Sequence, residues 1–200
     1  MHAPAPSPSA PGRCKRLKTV SSSDHDTVDQ LVMSVRPFED RERYVRFLTV
    51  QHRFHGSLQA LYHDPSLNRR LPGLDLLSRF DAVQQDLRDL GVAVPPAPAP
   101  VEATFAQALG WLYCSEGSNL GAAFLFKQTQ RLGLDAERGA RHLAPHPDGR
   151  ALHWREFVAG VDGLALSEAQ EAHAIEGAIA AFDSYRRHVR EVFELEATPA

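Results

Sequence analysis

Few side chains in this sequence combine the right chemistry with informative spacing, and His25 is the first of them. The spacing predicts a helix over about residues 15–36, which puts His25, Val28, Val32 and Val35 on one face. An imidazole buried in such a stripe needs a polar partner. A backbone carbonyl would make His25 a core residue, whereas a haem iron would make it an axial ligand, a role neutral imidazole fills well. Lys18 falls seven residues earlier on the same predicted face, about 10 Å away at 1.5 Å per residue. From there its ammonium would reach a porphyrin propionate while His25 held the metal. Spacing alone leaves both readings open.

The second informative stretch runs from Gly110 to Phe124, GWLYCSEGSNLGAAF, with Gly110, Gly117 and Gly121 on a common helical face. Each glycine in a helix interior costs about 1 kcal/mol relative to alanine, so something must require them. Close packing against another helix is one reason. The other is a flat ligand lying on the backbone where no Cβ holds it away, and such glycines also let a helix bend. Ser118 and Asn119 add polar groups able to hold water beside a ligand.

The remaining histidines say less. His52 and His55 are three apart, and Pro145 interrupts His142 and His146 and makes that pair a poor metal site. No Glu-x-x-His occurs, which counts against a di-iron helical bundle. There is no dinucleotide-binding glycine motif, no phosphate loop and no nucleophile elbow.

The elements that must position these residues read as helical throughout. Tyr44, Phe47, Leu48, Gln51, Phe54 and His55 trace one stripe, and Leu74, Leu77, Val83 and Leu87 a looser one. A long helix is expected over Ala169–Phe193, with Ile175, Ile179, Phe182, Val189 and Phe193 inward. Ser167 and Gln170 form a capping box at its start. Pro95–Pro100 is a semi-rigid connector and His146-Pro-Asp-Gly149 a turn. Runs of alternating β-branched residues are missing, so the fold class is all-α.

Residues 1–13 are expected to form a disordered Pro/Ala/Ser-rich tail before one domain over 14–196. A net charge of −3 exerts no pull towards nucleic acid or an anionic membrane. Two cysteines a hundred residues apart make no disulfide framework or zinc site, and suit a reducing cytosol. The N-terminus has no signal-peptide core, and Leu120–Phe126, the most apolar run, is too short to span a bilayer. A cytoplasmic location is expected.

Three blocks together resemble the bacterial haem oxygenases of haem-scavenging pathogens, the neisserial type above all. They are Asp24–Met33 (DHDTVDQLVM), Gly110–Lys127 (GWLYCSEGSNLGAAFLFK), and Gly139–Arg150 with His153-Trp154-Arg155. The resemblance covers about residues 15–195 and implies a single-domain helical fold with haem sandwiched between a proximal and a distal helix. It implies His25 as axial ligand, Lys18 and Tyr113 on the propionates, and Gly117 and Gly121 against the porphyrin with Ser118 and Asn119 close by. Gln51, His55, Arg79, Asp29 and Trp154 would build a polar, water-linked network beyond the distal pocket. Haem b would be both substrate and cofactor, cleaved by O2 to biliverdin, carbon monoxide and ferrous iron. Electrons would come from an external ferredoxin or flavoprotein reductase, since no flavin or nicotinamide site is visible. A non-catalytic haem carrier, or a thiaminase-like or di-iron enzyme on the same scaffold, are the alternatives.

Overall fold

A computed structural model describes residues 12–195. It contains eight α-helices: α1 (Arg13–Val20), α2 (Ser22–Ser34), α3 (Arg41–Tyr62), α4 (Pro65–Arg70), α5 (Phe80–Asp89), α6 (Phe105–Thr129), α7 (Arg150–Asp162) and α8 (Glu168–Val192). Three short 3-10 turns lie at Leu74–Leu77, Gln130–Leu132 and Arg141–Leu143. Among the described residues no strand forms.

The helix expected over residues 15–36 is two helices. Ser21 leaves the helical region at φ −96°, ψ 11°, and its Oγ donates to Leu17 O at 2.8 Å. Three consecutive serines supply local hydrogen bonds that compete with the helix. Lys18 therefore lies in the last turn of α1 while His25 lies near the start of α2, and the single face joining them does not exist. The folded part also starts earlier than composition suggests. Arg13 is buried, donates to Val161 O and Leu164 O, and pairs with Glu171 at 2.8 Å. The rest of the expected tail, residues 1–11, lies outside the described residues, as does Glu196 at the other end.

The α3 stripe behaves as read, with Tyr44, Phe47, Leu48, Gln51, Phe54 and His55 all buried. On α8 the capping box forms, Ser167 N donating to Gln170 Oε1 at 2.9 Å. Its buried face matches the expected one at Val189 and differs elsewhere. Ala174, Gly177, Ala178, Ala181 and Ser184 are buried, while Ile175, Ile179, Phe182 and Phe193 are half-buried. The cause is α6, which packs on α8 more extensively than any other pair of helices pack together. A Cβ on Gly110 would stand 2.1 Å from Ala174 O, and one on Gly177 2.1 Å from Gln107 O. Backbone approach this close admits only small residues.

Pro95–Pro100 runs as an extended connector between α5 and α6, with Pro98 against Gly56. The His146–Gly149 turn closes with Gly149 N donating to His146 O at 2.8 Å, and Gly149 takes φ +85°.

Candidate functional site

Helices α2 and α6 both pack on α8 but scarcely on each other. The residues facing that gap decide what it can hold. His25 has 61 % of its side chain exposed, so it is neither in the core nor satisfied by a backbone carbonyl. Its Nδ1 lies 3.4 Å from Asp29 Oδ2 and its ring meets Phe182 of α8 edge-on at 6.2 Å. With Nδ1 turned to a carboxylate, Nε2 is the nitrogen left to bind a metal, the arrangement typical of ligating histidines. Asp24 fixes the start of α2 through Arg186 of α8 at 2.9 Å.

The glycines of α6 do two different jobs. Gly110 packs on α8 as described. A Cβ at Gly117 would make ordinary contact with Trp154 at 3.4 Å, and one at Gly121 would meet nothing within 4 Å. Gly121 is therefore not required by packing, and neither are its exposed apolar neighbours Leu120 and Phe124. Val20, at the α1 end of the gap, is also 47 % exposed. An imidazole with a free Nε2, a helix face without Cβ atoms and uncovered apolar side chains fit an iron porphyrin.

Tyr113 is buried against Trp154, ring centroids 5.7 Å apart, in the same apolar cluster as Cys14. Burial pushes its phenol well above the usual range. Cys14 is one turn before Lys18, so Tyr113 and the exposed Lys18 belong to the same end of the gap. Ser118 is exposed and its hydroxyl donates back to Ser115 O at 2.7 Å. Asn119 turns inward and is buried, its Nδ2 donating to Glu116 Oε2 at 3.1 Å. It sits behind the distal face instead of on it, because consecutive helical positions diverge by about 100°.

The five residues assigned to a distal network divide. His55 and Arg79 share a buried polar region with His142: burial holds His55 neutral, down at about 3, with the nearby charges of His142 and Arg79 adding to the effect. Arg79 donates to His142 O and to Ala144 O at 3.1 Å. Gln51 Nε2 donates to Tyr185 OH at 2.6 Å. Asp29 lies beside His25 on exposed α2, its Oδ2 3.4 Å from His25 Nδ1, and not among the buried groups around His55. Trp154 lies in an aromatic row with Tyr113 and Phe157.

Sequence reasoning missed the centre of this buried region. Glu116 is 1 % exposed and accepts from Tyr62 OH and Asn119 Nδ2, with His153 Nε2 2.7 Å from its Oε2. Tyr62 OH also lies 2.7 Å from Ser115 Oγ. Next to it, His142 Nδ1 pairs with buried Asp86 at 2.7 Å. One signal was available: Glu116 is the only charged residue between Phe105 and Phe126.

A helical fold that leaves a ligand-free imidazole nitrogen across a gap from a glycine face defines a class of haem-handling protein. The family model described as "Heme oxygenase" matches residues 13–191. The haem oxygenase PigA of Pseudomonas aeruginosa is 44 % identical over 176 residues, covering 86 % of this chain and 89 % of that protein. A haem oxygenase of Xanthomonas campestris pv. campestris is 29 % identical over 160 residues, covering 80 % and 94 %. The NO- and CO-bound haem oxygenase of Neisseria meningitidis superposes with a TM-score of 0.90 at 50 % identity, covering 95 % and 96 %. Haem oxygenase 2 of Chlamydomonas reinhardtii, at 18 % identity and a TM-score of 0.71, shares the fold. The chain belongs to the haem oxygenase family, haem-degrading oxidoreductases whose product is biliverdin.

Proposed function

We propose that the enzyme binds haem b in the gap between α2 and α6 with His25 as axial ligand. It opens the ring to biliverdin with release of carbon monoxide and ferrous iron. An external one-electron donor, a ferredoxin or flavoprotein reductase, supplies the electrons, and the protein works in the cytoplasm. The observation that carries this reading is His25 itself, exposed on α2 with Asp29 at Nδ1.

When bound, haem supplies both the oxygen-activating iron and the carbon framework that is oxidised. The protein's own part is orientation and exclusion. Asp29 keeps the imidazole in one tautomer and raises its basicity. Lys18 and Tyr113 anchor the propionate edge and so set which ring position faces the distal helix. At Gly121, where a Cβ would meet nothing within 4 Å, the bare backbone would form the wall against the bound ring. Leu120 and Phe124 cover apolar porphyrin surface, which stabilises binding by about 25 cal/mol per Å² buried.

The test is an absorption titration with haem followed by a single turnover with oxygen and ascorbate. Wild-type protein is expected to give a histidine-ligated spectrum and then biliverdin with carbon monoxide. His25→Ala is expected to lose that spectrum and turnover together. Unchanged turnover in the variant would overturn the ligand assignment, and absence of biliverdin from the wild type would overturn the function.

A further inference from the structure

The helix that carries His25 is fastened unevenly. Its second half enters the apolar cluster of Phe47, Leu48 and Val189 through Val32, with Val35 just beyond its end and Val28 and Leu31 packed alongside. Its first half does not: from Ser22 to Gln30 no residue is buried, and only Asp24 and Val28 are half-buried. The start of α2 is not fixed locally either. Ser21 stands at the cap position without capping the helix, its hydroxyl turning back to Leu17 O at 2.8 Å. Its non-helical backbone also uncouples the direction of α2 from that of α1. An exposed first turn without a cap leaves backbone N–H groups unsatisfied and frays. A metal ligand in such a turn needs support from elsewhere.

Helix α8 supplies that support. Arg186 pairs with the carboxylate of Asp24 at 2.9 Å, donates to the Asp24 carbonyl at 3.4 Å, and is braced within its own helix by Asp183. The side chains of Arg186 and Asp24 are only 12 % and 23 % exposed. The pair is thus shielded from water and counts for more than an ordinary surface ion pair. Phe182, four residues before Arg186 and so on the same face of α8, meets the His25 ring edge-on at 6.2 Å. Adjacent residues of α2, Asp24 and His25, therefore rest on two side chains one turn apart on α8.

We infer that Arg186 is the positioning residue for the iron ligand: by gripping Asp24 at two points it fixes the first turns of α2 on α8, and with them the tilt of the His25 imidazole in the gap. The inference rests on the haem-binding role of His25 proposed above. The grip needs a guanidinium, because a lysine ammonium would keep the charge without the rigid fork of donors. A helix start free to shift by about 1 Å would spread the imidazole over several orientations. Misplacement of that size can cost about 10²-fold in a reaction that depends on alignment.

Arg186→Met, which keeps the apolar stem, tests the role with and without haem. In the apoprotein, amide hydrogen exchange over residues 22–30 is expected to quicken about tenfold, while α3 and α6 exchange as in wild type. In the ferrous haem-loaded protein, the iron–histidine stretching band should broaden or split, a change that a general loss of stability does not produce. Arg186→Lys should recover the exchange only in part and leave the band broad. Asp24→Asn combined with Arg186→Met should be no worse than Arg186→Met alone, as expected of two groups acting as one pair. Unchanged exchange over 22–30, faster exchange throughout the protein, a band as narrow as wild type or additive effects of the two substitutions would each overturn the positioning role. A wild-type band that survives His25→Ala would instead overturn the ligand assignment on which it rests.

Discussion

At the scale of single residues, the position of Asp29 separates two roles with different consequences. The resemblance puts it in a distal network, but the geometry puts it 3.4 Å from His25 Nδ1 on the proximal side. Asp29→Asn is therefore expected to act through the imidazole. Haem affinity should fall about tenfold, the usual loss when a ligand's orienting partner is removed, and the reduction potential should rise as the histidine becomes a poorer donor. Spectroelectrochemistry and a haem titration measure both; an unchanged potential would return Asp29 to the distal side. In the sequence, Lys18 and the glycine face made His25 a ligand candidate, and the family resemblance made it the axial ligand. The premise that drew attention to it, burial in a valine stripe, fails: Val32 and Val35 are buried, Val28 is half-buried and His25 is exposed. A face that binds a ligand looks apolar in sequence for the same reason a core face does. Glu116 stayed hidden because a lone carboxylate has no period, and its partners Tyr62 and His153 come from helices far away in the chain.

At the scale of elements, the most readable features were those set by local chemistry. The capping box at Ser167, the turn at His146–Gly149 and the α3 stripe need nothing beyond neighbouring residues. The break at Ser21 and the face of α8 were less readable, since a small-residue surface has meaning only once α6 lies against it. The three glycines of α6 show the limit well, being equivalent in pattern and different in context. That difference predicts opposite outcomes for one substitution. Gly110→Ala forces a methyl to within 2.1 Å of the α8 backbone and is expected to destabilise the protein by about 1–3 kcal/mol, as overpacking does. Gly121→Ala meets open space, so the haem-free protein should gain up to about 1 kcal/mol from helix propensity. The same methyl projects into the haem gap and is expected to lower biliverdin yield, with Gly121→Leu abolishing it while haem still binds. Urea unfolding of the apoproteins and product analysis of the loaded ones check the pair. A destabilised Gly121→Ala apoprotein would show that the face is packed in the absence of haem.

At the scale of the whole molecule, buried histidines set the response to acid. His55 is held neutral down to about 3 by its burial, with the charges of His142 and Arg79 adding to it. His142 is lowered by burial against an opposing contribution from Asp86. His52 and His188 are lowered by burial too, with arginine neighbours reinforcing it. A histidine whose folded value lies below its unfolded value of about 6.5 takes up its proton first in the unfolded chain. Stability is therefore intact above pH 6.5 and falls as pH drops below it, and for His55 the loss saturates only near 3. At pH 5 that single residue accounts for about 2 kcal/mol, from about 1.4 kcal/mol per unit over the 1.5 units below 6.5. In a domain of this size such a loss lowers the melting temperature by roughly 4–8 °C. Asp89 and Glu171, whose carboxyls are held low by hydrogen bonds to arginines and other donors that outweigh burial, add a second loss in a separate window, below about pH 4.5. The two windows can be resolved by following urea unfolding of the apoprotein from pH 7.5 to 3.5. A decline is expected to begin near 6.5, and His55→Gln, which cannot titrate, should flatten the pH 7–5 segment by about 2 kcal/mol while leaving the acidic one. A wild-type profile flat from 7 to 5 would mean that His55 reaches water or a partner on protonation, and the buried polar region behind α6 would then be far more open than its packing indicates.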